Sequence, residues 1–288
     1  MLCTELLEPE TLAEACSMLD RYQGEAKVIA GGHGLLPLLK HRAIAPRYLV
    51  NIKDLPGLDY LVEEDDGLRI GALTTHRAIE LDPTVISRFP ILSELERVLG
   101  CVQTRNWATI GGNLCEATPA DDPPPAFIAL GATVKVVGTK GDRQIPMDQF
   151  IIGYRQTALK ADEILVEIQV PNPGAHTGSS YHKERVRVAD SPIASAAVAV
   201  SLDDDLETIV AARVVLQAVG PTPIIATTAE RMLVGQKVED ALVRAVALAA
   251  SEEARPISDM YGSADYKREM VKVATQQVIN QAIARARH

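Results

Sequence analysis

Four apolar residues, Leu12, Ala15, Leu19 and Tyr22, recur at the spacing of one helix face. Thr11 before them can cap that helix, and Gly24 after them suits the left-handed position that ends it. Residues 26–30 are a short apolar run of strand character that leads straight into Gly31-Gly32-His33-Gly34. One or two helical turns over 35–40 and a second strand over 48–51 complete what reads as a small α/β lobe in the first 55 residues. From about Leu61 the pattern changes, with short strands at 68–73, 133–137 and 164–170 alternating with helical stretches at 75–81 and 91–99.

Between Val170 and Tyr181 the chain runs Pro171-Asn172-Pro173-Gly174-Ala175-His176-Thr177-Gly178-Ser179-Ser180, a cluster of backbone punctuators that predicts a domain boundary. Beyond it, 194–202 and 209–218 have strand character, and Asp203-Asp204-Asp205 between them predicts a hairpin turn. Helical patterns at 228–233, 240–254 and 264–287 fill the remainder. In the last of these Tyr266, Met270, Val273 and Val278 make an interrupted apolar stripe. The C-terminal third is expected to be a sheet of three strands or fewer covered by helices.

Composition narrows the function classes. At 288 residues the chain is long enough for about two domains. A net charge of -9 offers no counterion-release term for nucleic acid, and 4% aromatic residues are too few for a row of base-stacking platforms. No apolar run reaches the ~20 residues of a membrane helix, and the N-terminal stretch has no basic segment of the kind that opens a secretory signal. A cytoplasmic protein is expected. Cys3, Cys16, Cys101 and Cys115 are separated by 13, 85 and 14 positions, which matches no zinc or iron-sulfur pattern.

Two segments carry candidate chemistry. The first is Val28-Ile29-Ala30-Gly31-Gly32-His33-Gly34-Leu35, in which glycines after a strand let backbone N–H groups approach a phosphate. It is not a Rossmann fingerprint, because Pro37 stands where the third glycine belongs. The second is Thr109-Ile110-Gly111-Gly112-Asn113, a Gly-Gly loop flanked by hydroxyl and amide side chains, followed by Pro123-Pro124-Pro125. Two distant Gly-Gly loops are economical if both grip one extended ligand. Asp121 and Asp122, read as neighbours on a strand, would point to opposite faces and so do not form a proton-sharing dyad.

Together with Gln103-Thr104-Arg105-Asn106, these two segments resemble the FAD-binding (medium) subunit of molybdenum hydroxylases of the xanthine dehydrogenase and carbon monoxide dehydrogenase type. The resemblance implies an α+β fold: a two-lobed FAD-binding domain of the PCMH (vanillyl-alcohol-oxidase-like) type over 1–176, with lobes 1–55 and 56–176, then a small sheet-plus-helices domain over 177–288. It places the FAD pyrophosphate on Val28, Ile29, Ala30, Gly31, Gly32, His33, Gly34 and Leu35, and the dinucleotide's second loop on Thr109, Ile110, Gly111, Gly112 and Asn113. Asp122 would make a polar contact nearby, Leu165 an apolar contact near the ring system, and Lys183 a basic contact on the flavin side. Gly34 and Cys115 depart from the family pattern; a serine often follows Gly-Gly-His.

On this resemblance the chain has no catalytic or metal-ligating residue of its own. It would take electrons from an iron-sulfur small subunit holding 2Fe-2S clusters and pass them through FAD to an external acceptor. A large subunit would hold the molybdenum cofactor, and the whole would form a dimer of heterotrimers. Two alternatives stand beside it: a self-sufficient FAD-dependent oxidase or dehydrogenase, and a non-catalytic assembly subunit with a vestigial nucleotide site.

Overall fold

The computed structural model describes residues 4–288; Met1, Leu2 and Cys3, the first cysteine and the start of the N-terminal stretch among them, lie outside the described residues. Thr11 caps the first helix, Leu12–Arg21, by accepting the Glu14 N–H, and Gly24 follows with φ +77°. The lobe holds a strand that hydropathy alone did not mark, Glu5–Leu7, which pairs in parallel with Tyr48–Asn51. Ala26–Ile29 pairs in parallel on the other side of that central strand.

The second sheet is antiparallel throughout, in the order Leu61–Glu64, Gly67–Gly71, Ile164–Pro171, Thr133–Gly138, Gly141–Pro146. Its central strand serves two cores. Ile164 and Val166 face the core of the small lobe with Ala15, Leu19 and Val50, whereas Leu165 faces the larger core. A register shift between Leu165 and Glu167 then moves Ile168 and Val170 onto the Leu165 side, so one bulge lets a single strand close both lobes. On the helical side, Pro90–Val98 buries Ile91, Leu92 and Leu95 and carries Glu96 on the same face.

The C-terminal sheet has four strands rather than three: Thr177–Glu184, Ala194–Leu202, Ile209–Gln217 and the two-residue Ile224–Ile225. Thr177 to Ser180, expected in the boundary, already belong to its first strand. Both faces of the sheet are covered. Ala194, Ala196, Val198 and Val200 face the helices, while Ala197 and Val215 join the larger core of the preceding lobe. Burial on both sides explains the nearly continuous apolar run.

The long last helix, Ala264–Ala286, uses only part of the expected stripe: Val278 is buried and Met270 packs against the core. Tyr266 and Val273 are exposed, and the packed face is Val271, Ala274, Val278, Ile279, Ala282 and Ile283. Small alanines bring this helix close to the sheet, and a reading weighted toward large side chains overlooks them. Lys267, expected on the polar side, is buried on Asp259.

Candidate functional site

The strand Ala26–Ile29 ends in the loop 30–34, and the short helix Leu35–Lys40 follows. Gly32 has φ +77°, a conformation that only glycine adopts without strain. The space a side chain would need at Gly32 is taken by Leu36, whose Cδ1 would lie 2.8 Å from an added Cβ. Among the described residues, none of the backbone N–H groups of Gly31, Gly32, His33 and Gly34 has a protein acceptor. Four consecutive unpartnered donors on a partly exposed loop form an anion cradle. Val28, Ile29, Ala30 and Leu35 are half-buried around it, and the His33 side chain is exposed.

The second motif is not a loop. Thr109 caps a helix, Ile110–Glu116, by accepting the Gly112 N–H at 3.2 Å, and Gln103 to Asn106 lie in the preceding helix, Val102–Trp107. Its amides are already used: Ile110 donates to Thr74 O, Gly111 to Ala72 O and Asn113 to Thr109 O. Gly111 serves close packing, since an added Cβ would lie 2.7 Å from the Ala72 Cβ. The cap and this contact outweigh the low helix propensity of paired glycines. What the motif leaves open is a side chain: the Asn113 Oδ1 is buried and has no partner among the described residues.

The fold brings the two motifs into contact. A Cβ at Gly31 would overlap the backbone carbonyl of Trp107, and one at Gly34 would overlap the Glu116 carboxylate. Lys53 lies 3.8 Å from the centroid of the half-exposed Trp107 ring. Cys115 is half-buried, and burial pushes its thiol up to about 12, so it stays protonated and unreactive.

Asp122, Lys183 and Tyr181 form a buried knot between the larger lobe and the first strand of the C-terminal sheet. Lys183 Nζ donates to Asp122 Oδ2 at 2.7 Å, and the Tyr181 hydroxyl donates to Oδ1 at 2.8 Å. The two charged side chains are 2% and 5% exposed. Burial pushes the Asp122 carboxyl above its ordinary range against the pull of Lys183, and it pushes the Tyr181 phenol well up. Asp122 is the residue before the helix Pro123–Ala129, not part of a strand. Asp121 turns away to accept the Thr118 N–H at 2.6 Å, so the two aspartates still share no proton. Burial also lifts the Asp121 carboxyl to about 7.

Leu165 lies in the larger core at 3% exposure. One buried pair was not anticipated: His76 Nδ1 and Glu96 Oε2 are 2.9 Å apart, both side chains essentially sealed from solvent, and His76 Nε2 has no partner among the described residues. The signal was present as a glutamate at a core-facing position of the 91–99 helical pattern.

The sequence and fold are shared with known proteins. Residues 2–173 match the model of the FAD binding domain in molybdopterin dehydrogenase, and residues 179–282 match the CO dehydrogenase flavoprotein C-terminal domain. The carbon monoxide dehydrogenase medium chain of Hydrogenophaga pseudoflava is 34% identical over 277 residues, covering 96% of each chain. The glyceraldehyde dehydrogenase medium chain of Sulfolobus acidocaldarius is 33% identical over 273 residues, covering 94% of this chain and 95% of that one. Among solved structures, a carbon monoxide dehydrogenase from Hydrogenophaga pseudoflava superposes with a TM-score of 0.95 at 35% identity, covering 98% of both chains. Quinoline 2-oxidoreductase from Pseudomonas putida 86 follows the same fold with a TM-score of 0.91 at 31% identity, covering 99% of this chain and 98% of that one. The chain therefore belongs to the family of FAD-binding subunits of molybdenum hydroxylases.

Proposed function

We propose that the chain holds FAD without a covalent bond and works as the electron-transfer subunit of a molybdenum hydroxylase. The observation that carries this reading is the run of four unpartnered amides at 31–34, seated against the 107–116 segment. The orphaned Asn113 Oδ1 beside it is a second group fitted to a ligand with donors. The pyrophosphate belongs on the 31–34 amides, framed by Val28, Ile29, Ala30 and Leu35, while Thr109, Ile110, Gly111 and Gly112 fix the helix that presents Asn113. Asp122, Leu165 and Lys183, all buried, would back the flavin side.

FAD, when bound, supplies redox chemistry that joins one-electron to two-electron steps. The residues of the chain bind and orient it. The division 1–176 and 177–288 follows the limits of the two family models, 2–173 and 179–282. The relatives include a medium chain and a dehydrogenase complex subunit, which supports assembly with other chains. Those would be an iron-sulfur subunit that delivers electrons and a molybdenum-binding subunit that oxidises the substrate, in a dimer of heterotrimers. No helix of the described residues is long and apolar enough to cross a membrane, in keeping with a cytoplasmic assembly.

Titration of the full chain with FAD, read by quenching of flavin fluorescence, tests the reading. Saturable one-to-one uptake is expected. A folded chain that takes up no FAD at micromolar concentrations would overturn it.

A further inference from the structure

Gly34 has φ −80° and ψ −40°, ordinary right-handed dihedrals that any residue adopts. Nothing in the backbone requires glycine there; what occupies the space of a side chain is Glu116. The Glu116 carboxylate is held from behind, with Arg155 Nη2 3.1 Å from Oε1, while Oε2 packs on Gly34. Arg155 is fixed in turn by its own N–H, which donates to Ala117 O at 2.7 Å. The carboxylate touches the loop but accepts no hydrogen bond from its four amides, which keep their full donor capacity. Donors that attract an anion thus stand beside a fixed negative charge that repels one.

We propose that Glu116 is an internal competitor for the 31–34 loop: held by Arg155 against Gly34, its carboxylate weakens the loop's grip on the FAD pyrophosphate and sets the dinucleotide affinity of this chain. The inference rests on the reading that the loop takes FAD. Arg155 keeps the competition mild by neutralising the carboxylate. Without that cation a bare charge would face the ligand.

The test is a set of FAD titrations on the full chain by flavin fluorescence, with thermal unfolding in the absence of FAD as a check on folding. Glu116→Ala is expected to lower Kd about tenfold, equivalent to about 1.4 kcal/mol. Gly34→Ala displaces only the far end of a flexible side chain, so it should tighten binding too, and the double variant should gain nothing over Glu116→Ala. Arg155→Met should raise Kd, and adding Glu116→Ala to it should lower Kd again. A wild-type chain that binds FAD with an affinity that Glu116→Ala leaves unchanged or worsens overturns the Glu116 inference alone. Additive gains from Gly34→Ala and Glu116→Ala would do the same. If neither the wild type nor Glu116→Ala takes up FAD, the FAD reading falls with it.

Discussion

Lys183→Met asks what the buried knot contributes. The substitution keeps a long apolar stem but removes the cation 2.7 Å from Asp122, leaving a carboxylate that is 5% exposed with only the Tyr181 hydroxyl as a strong donor. Breaking a buried pair on one side typically costs 3–5 kcal/mol, because the surviving charge stays desolvated. Both groups are sealed from solvent, so screening removes little of that. At roughly 2–4 °C per kcal/mol for a chain of this size class, the melting temperature should fall by about 6–20 °C. Asp122 can escape by taking a proton. Its pKa is already raised by burial, and loss of Lys183 raises it further.

The folded variant then holds a proton that the unfolded chain releases above about pH 4. Its deficit relative to wild type should therefore be smallest in acid, grow as pH rises past the raised folded pKa of Asp122 in wild type, and level off above the still higher folded pKa in the variant. Asp122→Asn combined with Lys183→Met removes both charges and should recover most of the loss. Thermal melts of the three variants across pH 4–8 are the assay. A Lys183→Met melting temperature within 2 °C of wild type at neutral pH, or a double variant no better than the single, would refute this account of the knot.

Other perturbations follow from the same geometry. Gly31→Ala drives a Cβ into the Trp107 carbonyl, which no side-chain rotation relieves; a loss of about 1–3 kcal/mol and at least tenfold weaker FAD binding are expected, and unchanged melting and titration would contradict it. Thr109→Val deletes the cap on the Gly112 N–H and should cost about 1 kcal/mol in thermal melts, with Thr109→Ser restoring it. Asp121, with its carboxyl lifted to about 7, binds a proton on folding. Wild type should therefore lose stability relative to Asp121→Asn as pH rises from about 4 to 7, whereas parallel curves would show that this group does not titrate as stated.

The cap at Thr11, the strand before Gly31 and the hairpin at Asp203–Asp205 were legible in the sequence because each depends on neighbours a few positions away. The Gly111-Gly112 segment misled, since the contact that requires glycine at 111 is Ala72, thirty-nine positions distant in the chain. Lys183 looked like a residue waiting for a flavin, yet its nearest charge is Asp122, sixty-one positions away, and that makes its removal a folding perturbation as well. In the Ala264–Ala286 helix the stripe is right at Met270 and Val278 and wrong at Tyr266 and Val273. Alanines carry little weight in an amphipathic reading, and their value lies in how closely they let a sheet approach.

The two-faced burial of the C-terminal sheet bears on how the chain can be made. Tyr181, Ala197 and Val215 complete the core of the preceding lobe, and Arg285 reaches back to bind Glu94, a partner 191 positions earlier. The larger lobe therefore completes its core only with residues made after it. The last of these core residues is made only when synthesis reaches residue 215, and the latch on Glu94 only when it has passed residue 285. A chain truncated within the last helix before Arg285 would lack this latch.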